Sequence, residues 1–365
     1  MPDLRTPARL PLLIIAMLSL LGGVLAGLAR LAWGVPALAV NAAGWHGALM
    51  ITAFLGTVIS LERAVAIGER WAYLAPAAAG LGGLLALAGQ PILLTHLLSV
   101  LAALIMLGAT TRVLQRLVAP FTVVLSLGAA CWLAGNLVWW ITGVISVAVS
   151  WWLAFLVLTI AGERLEMTRF LPTPKIAQTL FFWITGSMLL GATVVLFSEP
   201  AGLALFSVSL LALALWLLRY DIARHNIRQH GLTRFIAACL LSGYLWLLLA
   251  GLIGLAGGFN AAHPWRDAAL HAVCLGFVFA MIFGHAPIIF PAVARVKIPY
   301  SPVFYLPLLL LHASLALRVS GVLQNDFALR RTGGLCNAVA LLLFIAVMLY
   351  SIRRGRKIVP QPQTS

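Results

Sequence analysis

Apolar residues in this chain run on in blocks and do not alternate with polar ones. Blocks of roughly 20 residues rich in Leu, Ala, Val, Ile, Phe and Trp follow one another from residue 11 to residue 352. As α-helix, a block of that length spans ~30 Å, the thickness of a bilayer's hydrocarbon core. The pattern predicts twelve membrane-crossing helices, at about 11–31, 42–66, 72–90, 92–112, 118–141, 145–165, 177–197, 201–220, 234–257, 266–293, 302–323 and 333–352. Two of the breaks rest on short turn signals, Gly89-Gln90-Pro91 and Ser198-Glu199-Pro200. No connection is long enough to fold separately, so residues 1–365 read as one all-α, polytopic transmembrane domain. No small-residue cleavage site follows the first block, which is therefore expected to stay as a helix.

Composition agrees. Hydrophobic residues make up 62% of the chain and charged residues 9%, with a mean hydropathy of +1.05. So few charges could not cover the surface of a soluble domain of this size. The formal net charge of +15 raises the question of nucleic acid, but its placement answers it. Of 24 Lys and Arg residues, only Arg30, Arg266, Arg318, Arg330 and Arg331 fall toward one side, and the other 19 fall on the side of both termini. That is the positive-inside bias, which predicts cytoplasmic termini, lipid as the surrounding partner and no nucleic-acid role.

Chemistry in such a chain has to come from polar residues placed at membrane depth. The four cysteines, Cys131, Cys239, Cys274 and Cys336, lie inside predicted spans without CxxC spacing and read as small buried residues; Cys274 stands out only for lying one turn from His271. Of the eight histidines, His225, His230 and His263 fall in connections. His46, His96, His271, His285 and His312 fall within spans. A neutral imidazole in hydrocarbon needs partners for its ring nitrogens. The predicted topology sets His46, His96 and His271 near the outer face, with His285 deeper and His312 close to mid-depth. His271 and His285 are fourteen residues apart, ~21 Å of helical rise and ~40° of rotation, so an uninterrupted α-helix would point both into one groove. Pro287 and Pro291 should bend or open the helix just beyond His285.

Two layers of histidine suit two metal centres. Haem held by neutral imidazoles is the economical choice, because the cofactor is itself apolar and fills a gap between helices. Copper is the second candidate, with Met50 near His46 and Met281 near His285 as soft ligands.

Three segments carry a family resemblance: "GWHGALMITAFLGTVISLERA" (44–64), "DAALHAVCLGFVFAMIFGHAPIIFPAVAR" (267–295) and "LPLLLLHASLALRVSG" (306–321). They resemble the NnrS family of twelve-helix bacterial membrane proteins associated with haem, copper and tolerance of nitric oxide. The resemblance implies a bacterial inner-membrane protein with one or two b-type haems, copper as a further metal, and nitric oxide as the small-gas partner. On this reading His46 and His271 bind an outer haem, His285 and His312 form or contribute to an inner metal site, and His96 is an alternative ligand. The same segments are distantly similar to the catalytic subunit of haem–copper oxidases. The chain lacks an adjacent histidine pair, a His-x3-Tyr element and an H-x-H on the tenth helix, so oxygen reduction is not expected.

At the inner ends of the second and sixth spans, Glu62, Arg63, Glu163 and Arg164 predict an ion-pair latch, Glu62 with Arg164 or Glu163 with Arg63. The alternative is a carboxylate at the end of a proton path. A proton-coupled secondary transporter would use these residues, but matching broken helices in the two halves are missing.

Overall fold

The computed structural model describes residues 3–172 and 174–357, and every regular element among them is helical. In chain order the principal helices are α1 (Thr6–Arg30), α2 (Ala43–Ile67), α3 (Leu74–Leu87), α4 (Ile92–Arg116), α5 (Pro120–Thr142) and α6 (Ile145–Thr168). They continue with α7 (Lys175–Val194), α8 (Glu199–Tyr220), α9 (Gly231–Leu255), α10 (Arg266–Ala294), α11 (Pro302–Leu323) and α12 (Phe327–Lys357). Eleven helices in the described residues are long and apolar enough to cross a membrane.

The exception is α3, which corrects the expectation of twelve full crossings. The 72–90 segment forms a 3-10 turn over Arg70–Tyr73 and then 14 residues of α-helix. Fourteen residues rise about 21 Å, short of the ~30 Å core. The helix is rich in glycine on the faces it packs: a Cβ on Gly83 would crowd Ala53 of α2 and Ser19 of α1. Thr95 of α4 reaches the Gly82 carbonyl with its hydroxyl at 3.0 Å.

Elsewhere the helix ends fall where the turn residues put them. Gly68, at φ +72°, closes α2, and Gly143, at φ +67°, closes α5. Pro200 lies in the first turn of α8, where its missing N–H costs nothing. Many large apolar side chains face outward, among them Trp183, Phe197 and Ile141, the last 80% exposed. That is the surface of a multi-pass membrane protein, whose outer solvent is lipid.

Neighbours in sequence pack as neighbours in space, and α10 runs through the interior, touching α1, α2, α6, α9 and α11. A fully buried amide fixes α2 against the bundle. Asn136 of α5 accepts from Thr52 of α2 at 3.2 Å and from the Trp152 indole of α6 at 3.0 Å. It donates to the Ser99 carbonyl of α4 at 2.8 Å. One side chain thus ties four helices together, with both its oxygen and its nitrogen hydrogen-bonded.

Two departures from α geometry matter most. Helix α2 is π-helical over Leu49–Leu55 and α10 over Ala272–Phe279; no other π stretch occurs among the described residues. Each begins within three residues after a histidine, His46 in α2 and His271 in α10. The stretches also meet near their far ends, where Phe54 and Phe279 lie 5.9 Å apart, ring centre to ring centre, with planes 19° apart. Sustained i→i+5 bonding is rare and appears mostly where function requires a side chain to be re-aimed.

Candidate functional site

His46 stands at the start of α2 with its Nδ1 2.7 Å from the carbonyl oxygen of Gly23 in α1. A carbonyl can only accept, so Nδ1 carries the proton and Nε2 keeps its lone pair. His271 repeats the arrangement on α10: its Nδ1 lies 2.8 Å from the Asp267 carbonyl, one turn back. The ring centres lie 6.2 Å apart with planes 19° apart. Neither Nε2 makes a hydrogen bond among the described residues, and both rings line one cavity of about 600 Å³.

The cavity has an apolar body and a basic end. Ile51, Leu55, Val149, Leu153, Phe279 and Leu341 supply apolar wall. Met50 and Cys274 also reach it. At the end where α10 begins, Asp267 receives Arg318 in a two-pronged pair, Nε to Oδ2 at 2.8 Å and Nη2 to Oδ1 at 2.7 Å. The Arg330 guanidinium stands 3.5 Å from the same carboxylate. Asp267 therefore fixes the arginines with its side chain and His271 with its backbone, the kind of outer support that ligating histidines require.

The backing of His46 comes from α1. A Cβ on Gly27 would lie 2.8 Å from the His46 Cε1, and one on Gly23 would lie 2.7 Å from the Met50 sulfur. These glycines are one turn apart, a small-xxx-small face of the kind that lets membrane helices approach closely.

The chain belongs to the family described as a domain of unknown function, DUF8744. The family matches residues 9–353. That span holds every residue of the cavity named above. No curated protein matches the chain.

The remaining histidines of this DUF8744 chain do not join the pair. His285 does not line the cavity; its Nδ1 lies 2.9 Å from the Met281 carbonyl, and its Nε2 lies 3.4 Å from Arg164 Nη2 of α6. The shared groove expected for His271 and His285 is not formed. The π stretch between them turns less per residue than an α-helix, so the ~40° offset of a regular helix does not apply. His312 faces α9, accepting from the Trp246 indole at Nδ1 (2.9 Å) and placing Nε2 2.8 Å from the Ser242 hydroxyl. With both nitrogens engaged it has no lone pair to offer, and the expected inner site of His285 and His312 is not assembled. His96 is buried edge-on against Trp139, with ring centres 4.3 Å apart, and is not part of the cavity wall.

Of the two soft ligands considered for copper, Met50 lines the cavity and Met281 does not. No group of three His, Cys, Asp or Glu side chains converges as a metal cage among the described residues. One expected latch is formed: Arg63 of α2 pairs with Glu163 of α6.

Sequence reasoning found the two histidines and missed their support. The signals were present as Gly23 and Gly27 at i,i+4 in α1, and as Asp267 four residues before His271.

Proposed function

We propose that this protein binds a b-type haem between α2 and α10, which His46 and His271 would hold, and that it binds or responds to nitric oxide. The observation that carries the haem reading is the relation of the two rings. Two imidazoles that would hold one metal ion by Nε2 must stand close together with that nitrogen free. The ring centres of His46 and His271 are 6.2 Å apart, with Nε2 the free nitrogen on both. Haem brings its own nitrogens to the iron, so two histidines without a third protein ligand would suffice to hold it. The largely apolar cavity of about 600 Å³ falls within the range of cofactor pockets.

When bound, haem supplies one-electron chemistry and affinity for small gases. The protein's part is to orient. The Gly23 and Asp267 carbonyls hold both rings in one tautomer, and the close α1 face keeps His46 from turning away. With cytoplasmic termini, as the positive-inside bias of the sequence favours, the cavity would face the outer side of the membrane. Nitric oxide as the gas is supported by the likeness of the α2, α10 and α11 segments to the NnrS family.

Absorption spectroscopy of the purified protein tests the reading. A Soret band and one low-spin b-type haem per chain are expected, lost in both His46→Ala and His271→Ala. Nitric oxide added to the reduced protein should shift the spectrum. Protein that stays colourless when made with ample haem sinks the assignment; a haem spectrum indifferent to nitric oxide leaves electron transfer as its role.

A further inference from the structure

The positive-inside count leaves five arginines on the sparse side, and four of them, Arg30, Arg266, Arg318 and Arg330, line the cavity that His46 and His271 face. They come from four places in the chain: the end of α1, the start of α10, the middle of α11 and the start of α12. Asp267 is the one acidic residue in the cavity wall. It is already shared between Arg318 and Arg330. Arg30 and Arg266 pair with no carboxylate within 4.0 Å among the described residues, and Arg330 keeps a buried Nε without a partner.

Four guanidiniums against one carboxylate give this end of the cavity a surplus of positive charge, graded in depth: Arg318 is buried beside Asp267, Arg330 is 35% exposed and Arg30 is exposed. An anion arriving there gains charge-assisted hydrogen bonds. Arginine's planar fork suits carboxylates, with two parallel N–H···O bonds available to each. We infer that the occupant of this cavity carries two carboxylates at one end of an apolar body, and that the arginines receive them and set which way round it enters. The inference takes the body of the ligand from the haem reading, because a b-type haem carries two propionates on one edge. The arginines would then determine selectivity for the free acid, while the histidines hold the iron.

The full-length protein, produced without haem and placed in nanodiscs of zwitterionic lipid, should be titrated with iron protoporphyrin IX, its dimethyl ester and metal-free protoporphyrin IX. Arg30→Gln and Arg330→Gln are the variants of choice, because Arg318 holds Asp267 in the tighter, two-pronged pair. The wild type should prefer the diacid iron porphyrin over the ester by about tenfold or more, the scale of one or two charge-assisted contacts. The double Arg30→Gln/Arg330→Gln variant should shrink that preference to about threefold or less. Its Soret position should not change, since the iron ligands are untouched.

Equal wild-type affinity for diacid and ester overturns the carboxylate role and leaves the haem reading standing. Metal-free diacid that binds in an arginine-dependent way, with no histidine-ligated iron spectrum, upholds the carboxylate site and ends the haem reading. Failure of all three porphyrins to bind ends both.

Discussion

Gly27 of α1 and His46 of α2 are so close that a methyl group on the glycine would stand 2.8 Å from the imidazole Cε1. Real Cβ atoms essentially never sit nearer than 3.0 Å to such a neighbour. The imidazole cannot retreat freely, because its Nδ1 is held by the Gly23 carbonyl of the same helix. Gly27→Ala should therefore push the ring out of line with His271 while leaving the bundle folded. Haem content, or the low-spin character of the spectrum, should fall with little change in the yield of monodisperse protein. An unaltered spectrum would mean that α1 does not set the His46 position.

Asp267 does two jobs at once, pairing with Arg318 and carrying the backbone carbonyl that His271 binds. Asp267→Asn removes the charge but not the carbonyl. Taking one partner from a mostly buried ion pair strands the other, at a cost of about 3–5 kcal/mol. The thermal midpoint in detergent should fall clearly, and Arg318→Gln added to Asp267→Asn should cost less than the sum of the two single changes. Additive losses in that cycle would show that the pair contributes nothing as a pair.

His312 should be structural. With Nδ1 and Nε2 bonded to Trp246 and Ser242, its removal leaves an indole N–H and a hydroxyl without their partner. His312→Ala should cost about 1–3 kcal/mol in stability and leave haem stoichiometry at one per chain. His285→Ala should likewise spare the haem. A drop in haem content in either variant would restore an inner site.

Asp221, just past the end of α8, is wholly buried, with Oδ1 accepting from the Ala223 N–H at 2.6 Å. Burial raises its pKa above the ordinary carboxylate value, against the opposing influence of Arg164, the Ala223 N–H and the Tyr244 hydroxyl. The sign follows from linkage. A carboxyl whose folded pKa lies above its unfolded pKa favours folding most below ~4 and loses that advantage as pH rises through the folded value. Asn at this position keeps an oxygen for the Ala223 N–H and does not ionise. Measured across that window, wild type should lose stability relative to Asp221→Asn as pH rises. Parallel curves for the two proteins would mean that Asp221 ionises as easily folded as unfolded.

Hydrophobic block length determined that the chain is all-α and membrane-crossing, because a helix in lipid must satisfy its own backbone and needs about 20 apolar residues to do so. Turn residues set most helix ends for reasons equally local: Gly68 and Gly143 enter left-handed backbone at little cost. Local rules also singled out His46 and His271 as polar residues inside apolar spans. They could not say that α3 would stop at 14 residues, since that depends on how its glycines press into α1, α2 and α4. The facing of histidines was likewise out of reach. A regular α-helix would have aligned His271 with His285, but a π stretch intervenes, and its bonding is decided by what α10 packs against. The tertiary structure alone brought His46 to His271, turned His312 toward Trp246, and gathered Arg30, Arg266, Arg318 and Arg330 around one carboxylate. Partners separated by hundreds of residues leave no periodic trace in the chain; they meet only when helices dock.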